Sequence, residues 1–492
     1  MGLFDRLRKT LSGRSAAFAA ARQPAGRANW NAPTGSARKA MDGAIRTIAD
    51  RARDAVRNNA YASRIVDLWV ANAVGTGITT TWKVPEGSNT GAAPEAAAWA
   101  NWAAGPGCDV EGELDWAGLQ ALAFRAVVES GESLIWMRSV RPSADNPVGL
   151  ALQVLEADRL DWHHSGMAPN GNRIIQGVEV DRRGRKVAFH LREDDDDFPL
   201  LRRADAKRIR VPAEDLIHLY RRRRPGQLRD VSWLAPILWQ LRDLSEYESA
   251  LLKKAFVEAC LALVVTGDDE ESVSGEVLQD GSGNRVEYLE PQQILYRRGG
   301  GTIETVNPSG GGDHAGYARR HLEAISVGAG LTYDQVSGDL SQANYSSLRA
   351  GKIEFRRLLE QVQYTMLVPM LVSRVARRFH AQGALLGLFP ADFLAPSHVP
   401  PAPEMVDPSK DTAALIAQVR AGFISQDEAV GMFGSNFDEV MAKIAKANKK
   451  AADLGVILDT DPRYVAKSGG AQDAKQNAAV QLAASDAAGG GQ

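Results

Sequence analysis

SGDLSQANYSSLRAGKIEFRRLLEQVQ, residues 337–363, changes character partway along. Its first half is short, polar and turn-forming, and it continues the irregular run GLTYDQVSGDLSQAN. From Ser346 onward Phe355, Leu359, Val362, Met366 and Met370 recur at helical spacing, with Arg and Glu between them. The pattern predicts one long helix from Ser346 to about His380, buried along that stripe and kinked at Pro369. The Gly351-Lys352 pair inside it is not a phosphate loop. Ser346 stands where such a loop needs its first Gly, and Ile353 where it needs Ser or Thr.

Working outward toward the N-terminus, a helix is expected over about His314–Ala329 and another from Ile237 to about Ala259, with Ile237, Leu241, Leu244, Leu251 and Ala255 on one stripe. Between them, residues 260–312 read as a small strand-rich insert, because LALVVTG, NRVEYLEP and QILYRRGGG are short apolar runs split by Gly-rich turns. Earlier still, LIHLYRRRRPGQLRDVSWLAP (216–236) sets four consecutive arginines between an apolar strand and a Pro-Gly turn. GVEVDRRGRKVAFHL (177–191) alternates as a hairpin, and SLIWMRSV and LALQVLEADRL read as strands. Helices are expected from Met41 to the RNNA interruption, then to Gly75, and over about Asp115–Ser130. Residues 41–230 thus read as one mixed α+β domain. Residues 1–40 carry eight Lys/Arg against the single acid Asp5 and read as a disordered basic arm.

On the C-terminal side, six prolines in 390–408 predict a linker, followed by short helices over 409–465, with Ser425 and Glu428 as a capping box and Asn436 capping the last helix. The Gly/Ala/Gln-rich 466–492 reads as a disordered tail.

The bulk numbers exclude several classes. The chain has 492 residues, 44% of them hydrophobic, and 58 Lys plus Arg against 60 Asp plus Glu. A protein that coats DNA by charge alone should be basic, and this one is balanced at −2. Cys108 and Cys260 form neither a disulfide framework nor a CxxC metal site, so the chain reads as intracellular. No apolar run approaches the ~18 residues of a membrane helix, so a soluble protein with no membrane partner is expected. The motif HExxH is absent, as is GxSxG. His163 and His164 are adjacent and lack a completing carboxylate; His314 and His321 share only a spacing. The run Asp194, Asp195, Asp196, Asp197 has no EF-hand spacing. No enzyme, metal or cofactor is expected.

Four stretches together resemble the portal proteins of tailed bacteriophages, the lambda-type family, over about residues 41–450: 337–363 quoted above, RPGQLRDVSWLAP (224–236), RARDAVRNNAYASRIVDLWVANAVGTGI (51–78) and VDPSKDTAALI after the prolines. One departure is Asp230, where the family often places Gly. The resemblance implies an α+β portal-like subunit: a mixed α/β wing (41–230), stem helices (231–259 and 313–330) flanking a strand-rich clip (260–312), a tunnel loop with a long kinked helix (331–389), and a helical crown (409–465).

It also implies a ring, typically of twelve copies, at one capsid vertex in the virion, assembled in the host bacterial cytoplasm. Double-stranded DNA would pass through its channel, and the terminase large subunit, a head–tail connector or adaptor and the major capsid protein would dock on it. On that reading Ser341, Gln342, Asn344, Tyr345 and Arg349 are tunnel-loop candidates for facing DNA. In a head-to-tail ring, blocks of opposite sign can meet between subunits. The subunit-interface candidates are therefore Arg221, Arg222, Arg223 and Arg224, with Asp194 through Asp197. Two other classes stay open from residues alone: a packaging enzyme, terminase- or nuclease-like, and a monomeric nucleic-acid-binding module.

Overall fold

The computed structural model describes residues 36–41, 43–84, 93–192, 208–260, 263–267, 294–298, 314–402, 407–433, 435 and 437–456. The chain enters through α1 (Ala37–Met41), α2 (Ala44–Asn58) and α3 (Ala60–Ala73). Asn59 explains the RNNA interruption. Its extended backbone ends α2, and its Oδ1 accepts hydrogen bonds from the Tyr61 and Ala62 amides at 3.0 and 3.1 Å, starting α3. After β1 (Thr79–Thr81) and α4 (Pro94–Ala104) comes α5 (Trp116–Ser130), capped by Asp115 at one end and by left-handed Gly131 at the other. Only glycine fits there, since a Cβ on Gly131 would lie 2.4 Å from the Val231 carbonyl carbon.

Two antiparallel sheets follow. The first has the order β3 (Leu150–Glu156), β2 (Glu132–Ser139), β9 (Leu216–Tyr220). The second is a meander of β4 (Gly166–Met167), β5 (Arg173–Ile175), β6 (Val178–Val180), β7 (Lys186–Arg192) and β8 (Arg208–Pro212), in that order. Strand alternation puts Ile135, Met137, Ile217 and Leu219 on the face that packs the helical core with Phe124 and Val127. Leu134 and Leu216 point the other way, into a second core with Val178, Phe189, Leu191 and Val211. The three-stranded sheet is therefore covered on both faces, which is why LIHLY is buried at every position.

Beyond Pro236, α6 (Leu238–Cys260) and α7 (His314–Ala329) run antiparallel. At one end a Cβ on Gly328 would lie 2.3 Å from Ile237; at the other the Tyr247 hydroxyl and His314 Nδ1 are 2.8 Å apart, with the Tyr247 and Tyr317 rings 4.2 Å apart. Of the insert 260–312, the described part is the end of α6 and the strands β10 (Leu263–Gly267) and β11 (Ile294–Arg298), which pair in parallel. The short α8 (Tyr333–Ser337) then leads to α9 (Tyr345–Val362), a π-helical segment (Gln363–Val372) and α10 (Ser373–Leu385). The expected kink at Pro369 takes this form: proline has no N–H to donate, and the wider π turn absorbs the missing bond. Phe355, Leu359, Val362 and Met366 are buried and Met370 partly so, as the periodicity predicts.

Two readings of organisation change. Residues 41–230 share their larger core with Trp233, Leu241, Ile325, Leu367 and Phe379, so the main body closes only with the long helix in place. The proline-rich 390–408 is more than a linker. It carries β12 (Ser397–Val399), which pairs antiparallel with β1, and the Thr80 hydroxyl lies 3.1 Å from His398 Nδ1. The backbone of this segment needs hydrogen-bond partners, and a short edge strand supplies them. After it come α11 (Pro408–Arg420), α12 (Gln426–Gly431) and α13 (Phe437–Asp453), with Ser425 and Glu428 forming the expected capping box. Asn436, the arm 1–35 and the tail 466–492 lie outside the described residues. No described helix is long and apolar enough to cross a membrane.

Candidate functional site

The arginine block begins where β9 ends, and buried polar groups hold it in place. Glu132, at the start of β2, is fully buried beside Arg229 and His218. Arg229 Nε donates to Glu132 Oε1 at 2.8 Å and its Nη2 bonds the same oxygen, while His218 Nε2 donates to Oε2 at 2.7 Å. Lys186 Nζ donates to His218 Nδ1 at 2.8 Å and to the Leu228 carbonyl at 2.9 Å, and lies 3.9 Å from the centre of the Tyr220 ring.

Burial and charge compete in this cluster. Burial works to raise the Glu132 carboxyl, but Arg229 and His218 outweigh it and hold the group at about 2. Burial and then Lys186 push His218 down to about 4, and burial pushes Lys186 down to about 7.

Gln227 shapes the loop from inside. Its Oε1 accepts from the Arg223 and Arg224 amides at 2.8 and 2.9 Å; its Nε2 donates to the Arg221 carbonyl at 3.2 Å and to Asp230 Oδ1 at 2.9 Å. Asp230, the residue that departs from the family pattern, thus has a structural use as the acceptor that orients Gln227. Its Oδ2 has no hydrogen-bond partner and lies 4.0 Å from Arg223 Nε; burial raises its carboxyl to about 6. The four arginines split. Arg221 is half-buried with its guanidinium over Trp233, whereas Arg222, Arg223 and Arg224 are exposed.

The second candidate region is built by local bonds. Left-handed Gly338 ends α8, Asp339 Oδ1 accepts from the Ser341 amide at 2.9 Å, and the Asn344 side chain caps α9 by accepting from the Ser347 amide at 2.8 Å. Ser341, Gln342 and Asn344 are exposed, and Tyr345 is the first residue of α9. Arg349 is engaged: its Nη2 donates to Asp411 Oδ1 at 3.1 Å, joining α9 to α11. Asp194, Asp195, Asp196 and Asp197 lie outside the described residues.

Sequence reading missed Glu132, His218 and Lys186. The available signal was an ionisable residue at an otherwise apolar strand position, ESLIWM and LIHLY. A second satisfied carboxylate, Glu179, is held below its usual range by Arg210 first, with Asn170, Asn172 and His190 around it. No group of His, Cys, Asp and Glu among the described residues is arranged to hold a metal. Burial pushes the Cys108 thiol up to about 12, which leaves it without thiolate chemistry near neutral pH. His163 packs against Trp162, His314 bonds Tyr247, and His321 packs on Tyr317.

Residues 23–363 match the family model described as phage portal protein, lambda family. The chain is similar to a probable portal protein of Halomonas phage phiHAP-1, 25% identical over 83% of this chain and 81% of the relative. It is also similar to the portal protein of Escherichia phage N15, 20% identical over 87% and 88%. Among solved structures it resembles a chain from the neck of a native gene transfer agent particle, computed with C12 symmetry, with TM-score 0.43 and 16% identity over 79% of this chain and 93% of that one. A chain of the native gene transfer agent virion gives TM-score 0.43 and 15% identity over 88% and 99%.

Proposed function

Because this chain belongs to the lambda family of phage portal proteins, and so is a portal protein of a phage-like particle, we propose that it works as a closed ring, of twelve copies, at one vertex of the capsid. The observation that carries the reading beyond the family is the antiparallel pair α6 and α7, which leads out of the main body to the paired strands β10 and β11. That shape suits a stem bearing a clip. Exposed Trp239, Leu252, Phe256 and Val327 on the pair suit lateral packing between copies.

On this reading residues 260–312 dock the terminase large subunit and the connector, the stretch with Ser341, Gln342, Asn344 and Tyr345 faces double-stranded DNA in the channel, and α11–α13 form the crown on the side of the major capsid protein. The role is structural rather than catalytic, exercised in the virion after assembly in the bacterial cytoplasm. A near-neutral chain suits a channel through which DNA slides, since each neutralised phosphate adds affinity through counterion release.

Negative-stain imaging of the purified full chain, without DNA or nucleotide, should show rings with a central hole. Only monomer across a broad range of concentration and salt overturns the proposal. Replacing 260–312 with a short flexible linker should keep the rings and abolish terminase and connector binding; an unfolded product would place the insert in the core instead.

A further inference from the structure

Between the arginine loop and the π segment lies a cavity of about 390 Å³. Tyr220, Arg221, Arg222 and Arg223 line one side; Val362, Met366 and Met370, interleaved with the polar Gln361 and Thr365, line the other. The arginine wall carries more positive charge than the described residues balance. Glu132 is taken by Arg229 and His218, and Asp230 comes no closer than 4.0 Å to Arg223. No carboxylate among the described residues pairs with Arg221 or Arg222. Lys186 and Arg374 stand behind them, the latter turned away to the Ala213 carbonyl at 2.6 Å. Arginines facing a helix side that carries two methionines and a valine fit a ligand with carboxylates next to a hydrophobic side chain.

The sequence contains two runs of four or more consecutive acids, Asp268–Glu271 and Glu193–Asp197, and of these the second is followed directly by an aromatic side chain. Residues 193–201 read EDDDDFPLL, four aspartates directly followed by Phe198. We propose that the cavity receives Asp194–Phe198 of a neighbouring copy, with the aspartates on Arg221–Arg223 and Phe198 against Met366 and Met370.

Reaching the cavity within one copy would be demanding. β7 leads away from Lys186, beside the arginine loop, to Arg192, six residues and about 20 Å further on. Asp197 follows five residues later, so the same copy would have to double back along the whole strand at nearly full stretch to bring the run to the arginines. A neighbouring copy has no such limit. In a head-to-tail ring each copy offers the acidic run on one face and the cavity on another, giving one contact per interface. The inference rests on the ring reading above.

A charge swap in the full-length chain tests it. Arg221→Glu/Arg222→Glu/Arg223→Glu, and separately Asp194→Arg/Asp195→Arg/Asp196→Arg, should each lower the ring fraction at least tenfold by mass photometry. Circular dichroism should confirm folded monomers. Joined in one chain, the two sets should recover more than half of the wild-type ring fraction, and Phe198→Ala should cost a few-fold. Wild-type rings whose combined swap assembles no better than either set alone overturn the pairing. So does an arginine variant that keeps its rings, including one that keeps them while losing affinity for double-stranded DNA, which would place the arginines on DNA. A wild-type chain that stays monomeric overturns the ring reading itself.

Discussion

The loop 221–230 and the loop 338–344 are both polar, both follow short secondary-structure elements and both precede helices, yet they are held by opposite means. The arginine loop and the strands beside it are tied across the chain. Arg229 reaches Glu132 across 97 residues, His218 reaches Glu132 across 86, and Lys186 reaches Leu228 across 42. The bonds of the Gly338–Asn344 loop join residues six or fewer positions apart, and most of them are exposed. Cutting a bond in the first strands a buried charge; cutting one in the second leaves a group that water satisfies. The first loop is therefore rigid and suited to present a fixed surface. The second can change shape at little cost, which suits a segment beside a moving polymer.

The sharpest way to break that contrast is Glu132→Ala. It leaves Arg229, Lys186 and His218 buried without their carboxylate and should cost about 3–5 kcal/mol by denaturant unfolding. Asp339→Ala in the other loop should shift the unfolding midpoint far less, because water satisfies the groups it leaves. Comparable losses at the two sites would end the distinction.

A smaller effect is expected at Gln227→Ala. Each buried group left unsatisfied costs about 1–3 kcal/mol. Amide exchange at Arg223 and Arg224, which lose their shared acceptor, should accelerate while that of Ser341 stays unchanged.

The two loops should also respond differently to pH. His218 is depressed from 6.5 to about 4, so the unfolded chain takes up its proton first and stability falls as pH drops from 6.5 to 4. Glu132, depressed from 4.5 to about 2, extends the loss between pH 4.5 and 2. Asp230, raised from 3.8 to about 6, opposes part of it between 6 and 3.8. Lys186, depressed from 10.5 to about 7, adds stability as pH rises from 7 toward 10.5. Melting temperature should therefore rise from pH 5 to pH 9, and Lys186→Met should flatten the upper part of that rise. A profile unchanged by the substitution would detach Lys186 from the cluster.

Local sequence carried the elements and not the links between them. The span of α5, about Asp115–Ser130, and the capping box of Ser425 with Glu428 were legible because caps act within four residues. The stripe from Phe355 to Met370 carried the long helix for the same reason. The pairing of β1 with β12 joins residues about 320 apart, and nothing in PSHVP announces that partner. The arginines were visible as a block, but their support was not. Gln227 reads as one more polar loop residue until its four bonds are seen, and Glu132 lies 97 residues from the arginine it holds.

The smallest expected effect concerns Arg349, whose pairing with Asp411 is the long-range ion pair closest to the second loop. Asp411 is oriented for it, since its other oxygen accepts the Asp407 amide at 3.1 Å and the Asp407 side chain caps α11. The helix has no buried residue, so few other contacts fix its position. Both partners keep water contact, 41% and 26% of their side-chain surface being exposed, which screens the pair to about 0–1 kcal/mol. A double-mutant cycle with Arg349→Gln and Asp411→Asn should return a coupling in that range, while amide exchange in α11 rises several-fold and that in β2 does not move. The bond is then a weak latch that lets α11 and the start of α9 part readily. A coupling above about 2 kcal/mol would make this end of the molecule as firmly tied as the arginine loop, and the contrast between a fixed and an adjustable region would no longer hold.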